Sequence, residues 1–86
     1  MAYKIVYKRS VARDLSKLDK KEASRVLNKL EKDLSRNASS YPALKGKYAG
    51  LRKYRLGNYR VIFAIAGSEV IILRIAHRRD IYKKEV

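Results

Sequence analysis

The 86-residue chain contains no cysteine, one histidine, and no apolar run longer than Val61 to Ala66. Each shortage excludes something. Without cysteine there are no disulfides and no thiolate metal sites, which fits a reducing compartment. With one histidine as well, any metal would have to be held by carboxylates. Six apolar residues cannot cross a bilayer, and the start MAYKIVYKRS lacks the apolar segment of a signal peptide. The sequence therefore predicts a single domain over residues 1–86, cytoplasmic, without a membrane partner, near the size where burial is just sufficient for stability.

Acid is scarce too. Eight Asp and Glu stand against 22 Lys and Arg, a formal net charge of +14. Five of the eight (Asp14, Asp19, Glu22, Glu31, Asp33) fall in the N-terminal half. Between Ser35 and Ser68 there are seven Lys or Arg and no acid at all. A merely solvated surface would interleave both signs. Positive potential with nothing nearby to neutralise it points to a polyanionic partner.

The pattern of what is present predicts an α+β domain. Tyr3 to Tyr7 alternates as a first strand, with Tyr3, Ile5 and Tyr7 on one face and Tyr3 and Tyr7 expected to pack. Ser10 can cap a short helix whose inner side carries Val11, Ala12, Leu15 and Leu18, ending near Lys17 or Leu18. Asp19 and Glu22 have the spacing of a capping box for a second helix, with Ala23, Val26, Leu27, Leu30 and Leu34 as its apolar stripe. Asn37 to Ser40 and Tyr41-Pro42 stop that helix. A loop, Ala43 to Gly50, carries Lys45, Lys47 and Tyr48, and reads either as a clamp on a phosphate backbone or as a plain connection.

Leu51 to Ile65 then reads as two strands joined at Gly57-Asn58. A two-residue loop sets Leu56 opposite Tyr59, Arg55 opposite Arg60, Tyr54 opposite Val61 and Lys53 opposite Ile62. One face then holds Tyr54, Leu56, Tyr59, Val61, Phe63 and Ile65 as core, and the other holds Lys53, Arg55 and Arg60. Like charges directly opposite each other are destabilising, so that second face is informative. Ala66-Gly67-Ser68 turns into Glu69 to Ala76, an apolar strand covered on both faces. A three-residue loop there would put Ile71 and Leu73 in the core and Arg74 beside Arg60. The expected architecture is an N-terminal strand, an antiparallel two-helix hairpin, and a three-stranded antiparallel meander. The helices pack on one sheet face, and the other face stays exposed and positive.

Leu44-Lys45-Gly46, the stretch GLRKYRLGNYRVIF from Gly50 to Phe63, and the ending IAHRRDIY from Ile75 to Tyr82 together resemble the central and C-terminal motifs of the RelE/ParE superfamily, toxins of type II toxin–antitoxin modules. Length, element order and charge are similar across essentially the whole chain. For the RelE-like branch the resemblance implies a RelE-like fold and a metal-independent, cofactor-free endoribonuclease that cuts mRNA in the ribosomal A site and inhibits translation. In that reaction the RNA 2′-hydroxyl attacks the adjacent phosphate, leaving a cyclic phosphate and a 5′-hydroxyl. It also implies two partners, a RelB-like antitoxin and the ribosome with its 16S rRNA.

Carried over by position, Lys53 and Arg55 take the two basic places before the turn and Arg60 the arginine after it. Arg78 takes the arginine of the tail, and Tyr82 the aromatic that stacks on a base. Lys45, Lys47, Arg52, Arg74 and Arg79 complete the set as candidate phosphate contacts. Clustered cations suit a cyclising phosphate, which gains negative charge in its transition state. One position departs from the pattern: RelE-like sites often carry a second lysine where this chain has Arg55, and arginine does not readily release its proton. His77 or Lys53 is then the candidate general base. The ParE-like branch, which inhibits DNA gyrase without catalysis, is the alternative; it has no need of such a cationic cluster.

Overall fold

A computed structural model of the chain describes residues 2–80. The elements run β1 (Lys4–Tyr7), α1 (Arg9–Ser16), α2 (Lys20–Asn37), β2 (Arg52–Leu56), β3 (Tyr59–Ala66) and β4 (Glu69–His77), with single 3-10 turns at Ala38–Ser40 and Gly46–Tyr48. The expected α+β architecture is present. What alternation alone could not show is that β1 joins the meander by pairing parallel to β4, giving one four-stranded sheet in the order β1-β4-β3-β2.

The β2–β3 register matches the sequence expectation at every pair, Leu56 with Tyr59, Arg55 with Arg60, Tyr54 with Val61, Lys53 with Ile62. Gly57 supplies the reason: its φ of 57° opens the loop, and among the described residues no non-glycine has positive φ, so the turn is of the type with glycine at its first central position. Gly67 repeats the device with φ 60° between Ala66 and Glu69, which pair directly. That loop therefore has two residues, and the three-residue expectation is corrected. Val70 and Ile72, rather than Ile71 and Leu73, face the helices.

β4 then slips. Phe63 pairs with Ile72 but Ile62 with Arg74, so Leu73 is an extra residue at a bulge. The slip returns Ile75 to the helix side opposite Val61, while Leu73 keeps the other face that alternation gives it. This is how four consecutive apolar residues serve both faces of one strand.

The main core lies between helices and sheet: Val11 from α1, Val26, Leu30 and Leu34 from α2, and Tyr54, Val61, Phe63, Val70, Ile72 and Ile75 from the strands. Full burial of each large apolar side chain contributes about 1.5–3 kcal/mol. A second, smaller core is a correction to the expected bare positive face. There Ile62 is 0% exposed and Ala76 7%, covered by Leu44, Leu51 and Leu73. The 42–51 loop makes that cover by lying along the free edge of β2, with Lys53 N donating to Pro42 O at 3.1 Å and Leu44 N to Leu51 O at 2.8 Å. An edge that would otherwise be open to another strand is thereby closed.

The helix ends differ from expectation. Lys8, not Ser10, occupies the cap position of α1. Ser10 instead donates through Oγ to Leu73 O at 2.7 Å. Asp19 does cap α2 by position, but no capping box forms, because Glu22 pairs with Arg25 Nη2 at 2.6 Å. Tyr3 packs on the main core, whereas Tyr7 is exposed and donates its hydroxyl to Glu31.

Candidate nucleic-acid interface

The site is built from the sheet face that the helices leave uncovered. Residues paired across a ladder point to the same side, so Lys53, Ile62 and Arg74 form one row across β2, β3 and β4, and Arg55, Arg60 and Ala76 the next. Buried Ile62 and Ala76 are the apolar floor, and Lys53, Arg55 and Arg60 stand around it. Arg55 is exposed, while Lys53 and Arg60 are half-buried. The Arg60 guanidinium folds toward its own strand, Nη1 lying 3.4 Å from Tyr59 O. None of the ion pairs among the described residues uses any of the three. Their mutual repulsion is left uncompensated within the described chain, a cost that a bound anion would convert into affinity.

The segment after β4 joins this patch at one end. Arg78 is exposed, and its backbone N donates to Asn58 O at 2.8 Å, which ties it to the tip of the β2–β3 hairpin beside Arg55 and Arg60. Lys45 and Lys47 are exposed on the loop that covers Ile62, with the Lys47 ammonium 5.3 Å from the centre of the Tyr48 ring. Arg79 is exposed in the turn after β4. Tyr82 lies outside the described residues.

Three of the residues singled out from the sequence stand elsewhere. Arg52 pairs with Phe63 and so projects toward the helices, where Nη1 donates to Tyr41 O at 2.7 Å and Ser39 O at 3.2 Å. It closes carbonyls in the turn that follows α2. Arg74 lies opposite Ile62, not beside Arg60, and its Nη2 donates to Asp14 Oδ1 at 2.6 Å, with only 14% and 1% of the two side chains exposed. It is neutralised before any phosphate arrives. His77 pairs with Tyr59, on the helix-bearing face, and their rings meet edge to face at 6.0 Å. Its Nδ1 accepts from Arg79 N at 3.2 Å, and it lines a cavity of about 250 Å³ with Asp14, Lys17, Leu18 and Tyr59. Strand alternation thus separates the histidine from Arg60 by the thickness of the sheet.

Sequence reasoning missed Asp14. It is 3% exposed, and Oδ2 accepts from Ile75 N at 2.9 Å. Its position one helical turn after Ser10 was a usable signal, since both face β4. Among the described residues no group of three His, Cys, Asp or Glu could hold a metal.

Residues 5–82 match the family model described as the ParE toxin of the type II toxin–antitoxin system, parDE. The chain belongs to that toxin family, within the RelE/ParE superfamily. Toxin RelG of Mycobacterium tuberculosis is 33% identical over 98% of this chain and 100% of its own length. The crystal structure of the M. tuberculosis toxin–antitoxin complex RelBE2 contains a chain that superposes with a TM-score of 0.83 at 31% identity, covering 91% of this chain and 100% of that one. YafQ from E. coli shares the fold alone, with a TM-score of 0.73 at 15% identity over 93% and 98% of the two chains. This superfamily member is therefore a toxin of a type II toxin–antitoxin system. No helix among its described residues is long and apolar enough to cross a membrane.

Proposed function

We propose that this toxin is a ribosome-dependent mRNA endoribonuclease of the RelE-like kind, held inactive by a RelB-like antitoxin and acting in the cytoplasm. One observation carries the reading: Lys53, Arg55 and Arg60 share one face, none of them in an ion pair among the described residues, with Arg78 tied to its end. In the reaction the 2′-hydroxyl loses its proton and bonds to the adjacent phosphorus. The bond to the 5′-oxygen breaks, and that oxygen takes up a proton. Charge develops on the non-bridging oxygens, and Arg60 and Arg78 are the fixed donors to meet it. With His77 on the opposite face, Lys53 is the one member of the cluster whose nitrogen can exchange a proton, because guanidinium groups stay charged. Arg55, Lys45, Lys47 and Arg79 hold the strand by its phosphates, and Tyr82 takes the role of stacking on an unpaired base.

The test is primer extension on a defined mRNA with and without programmed ribosomes. Arg60→Ala should lower the cutting rate by about 10²–10³-fold, the scale for removing one preorganised donor to a developing charge. A growth-arresting protein that cuts nothing under either condition would overturn the reading. A second reading is then at hand, inhibition of DNA gyrase without catalysis, favoured by the ParE description of the matching family and by the turning away of His77. A gyrase supercoiling assay decides it.

A further inference from the structure

The turn after β4 is built on the chain's one histidine. Asp80 N donates to His77 O at 2.8 Å, which closes a β-turn over His77, Arg78, Arg79 and Asp80. At the first position of such a turn Asp, Asn and Ser are favoured, because a short side-chain acceptor there reaches the N–H two residues on. His77 does the same with a ring: its Nδ1 accepts from Arg79 N at 3.2 Å.

Two ties therefore meet on Arg78. On one side its own N donates to Asn58 O at 2.8 Å. On the other, the peptide that links it to Arg79 is the one His77 Nδ1 holds. The imidazole is itself steadied, because it rests edge to face on Tyr59 with ring centres 6.0 Å apart. Asn58 and Tyr59 are consecutive, so the backbone tie and the ring contact both land at the tip of the β2–β3 hairpin, next to Arg60. Arg78 is exposed and in no ion pair among the described residues. With no ion pair to seat its side chain, it is placed by its backbone.

We infer that His77 is a positioning residue for RNA cleavage, acting through Arg78: by holding the following peptide from behind the sheet, it keeps Arg78 at the end of the patch formed by Lys53, Arg55 and Arg60. It rests on the ribonuclease reading. A donor stabilises a developing charge best where it is already fixed, since its ordering then belongs to folding and not to the reaction. His77 touches no reacting atom and moves no proton. It supplies geometry, which is how a residue on the helix-bearing face serves a reaction on the other.

The test is single-turnover cutting of a defined mRNA on programmed ribosomes. His77→Phe keeps a ring against Tyr59 and removes the acceptor. Its rate at saturating ribosomes should fall about 3–10-fold, the rate equivalent of one hydrogen bond, while the ribosome concentration giving half that rate stays nearly unchanged. His77→Asn has no ring but restores an acceptor for Arg79 N, and should recover most of that loss. His77→Ala, which removes ring and acceptor together, should fall at least as far, and serves in place of the Phe variant should that one not fold. In an Arg78→Ala background, His77→Phe should remove nothing more, because the residue through which it acts is gone. A His77→Phe protein as fast as wild type, a His77→Asn protein no faster than His77→Phe, or a further loss in the Arg78→Ala background each overturns the inference and leaves the ribonuclease reading standing. A wild type that cuts nothing overturns both.

Discussion

Asp14→Ala is expected to be among the most damaging single changes in the protein. Asp14 accepts from the Arg74 guanidinium at 2.6 Å and from Ile75 N at 2.9 Å, in surroundings where the two side chains are 1% and 14% exposed. Truncation leaves a largely buried cation and a strand N–H without this acceptor. Breaking a buried pair by removing one partner costs about 3–5 kcal/mol. For a domain of this size about 4–8 °C of Tm goes with each kcal/mol, so Tm should fall by at least about 12 °C. The damage is local in origin, because beyond Ile72 the outer edge of β4 has no neighbouring strand among the described residues. Lys8 N to Ile72 O, Ser10 Oγ to Leu73 O, and Asp14 hold it instead. Asp14→Asn keeps an acceptor for Ile75 N and should lose less. Arg74→Met in the Asp14→Asn background should cost less than the sum of the single changes, since the two side chains interact directly. Urea unfolding followed by tyrosine fluorescence is the assay, as the chain has no tryptophan. A loss below about 1 kcal/mol for Asp14→Ala, or strict additivity in the cycle, refutes the argument.

Other outcomes follow from where the structure puts individual side chains. Arg52→Ala should reduce stability by about 1–3 kcal/mol, through two carbonyls deprived of their donor, yet leave RNA affinity within about twofold; filter binding beside urea unfolding separates the two. His77→Gln should change the cutting rate by less than about tenfold, where a general base would cost about 10²–10⁴-fold, measured under single-turnover conditions. Tyr7 and Tyr54 are held above the ordinary tyrosine range, first by burial and then by donating their hydroxyls to Glu31 and Asp33. Their neutral forms are favoured in the fold, so that stabilisation is complete below about pH 10 and declines as pH rises past it. Unfolding at pH 9 and 11 should show this decline, and Tyr54→Phe should reduce it.

The elements, the hairpin register and the existence of a cationic face were legible in the amino-acid order, because those features are local. A two-residue glycine loop fixes which side chains pair, and alternation fixes which of them share a side, so short-range geometry alone puts Lys53, Arg55 and Arg60 together. Charge was legible too, because a run of seven cations without an acid is a property of the string.

Whatever depends on the neighbour of a strand was not legible, since it belongs to packing between distant segments. The bulge at Leu73 sets Arg74 opposite Ile62, where the unbulged register would set it opposite Val61, and there it meets Asp14. The parity of β4 puts His77 with Tyr59 behind the sheet, which a count from an assumed loop could not foresee. The N-terminal acids make their half the less basic one by count, yet Asp14 and Glu22 are paired with Arg74 and Arg25, while Glu31 and Asp33 accept from tyrosine hydroxyls and keep their charge. Composition fixes how many charges a chain has; only packing fixes which of them are left for a partner.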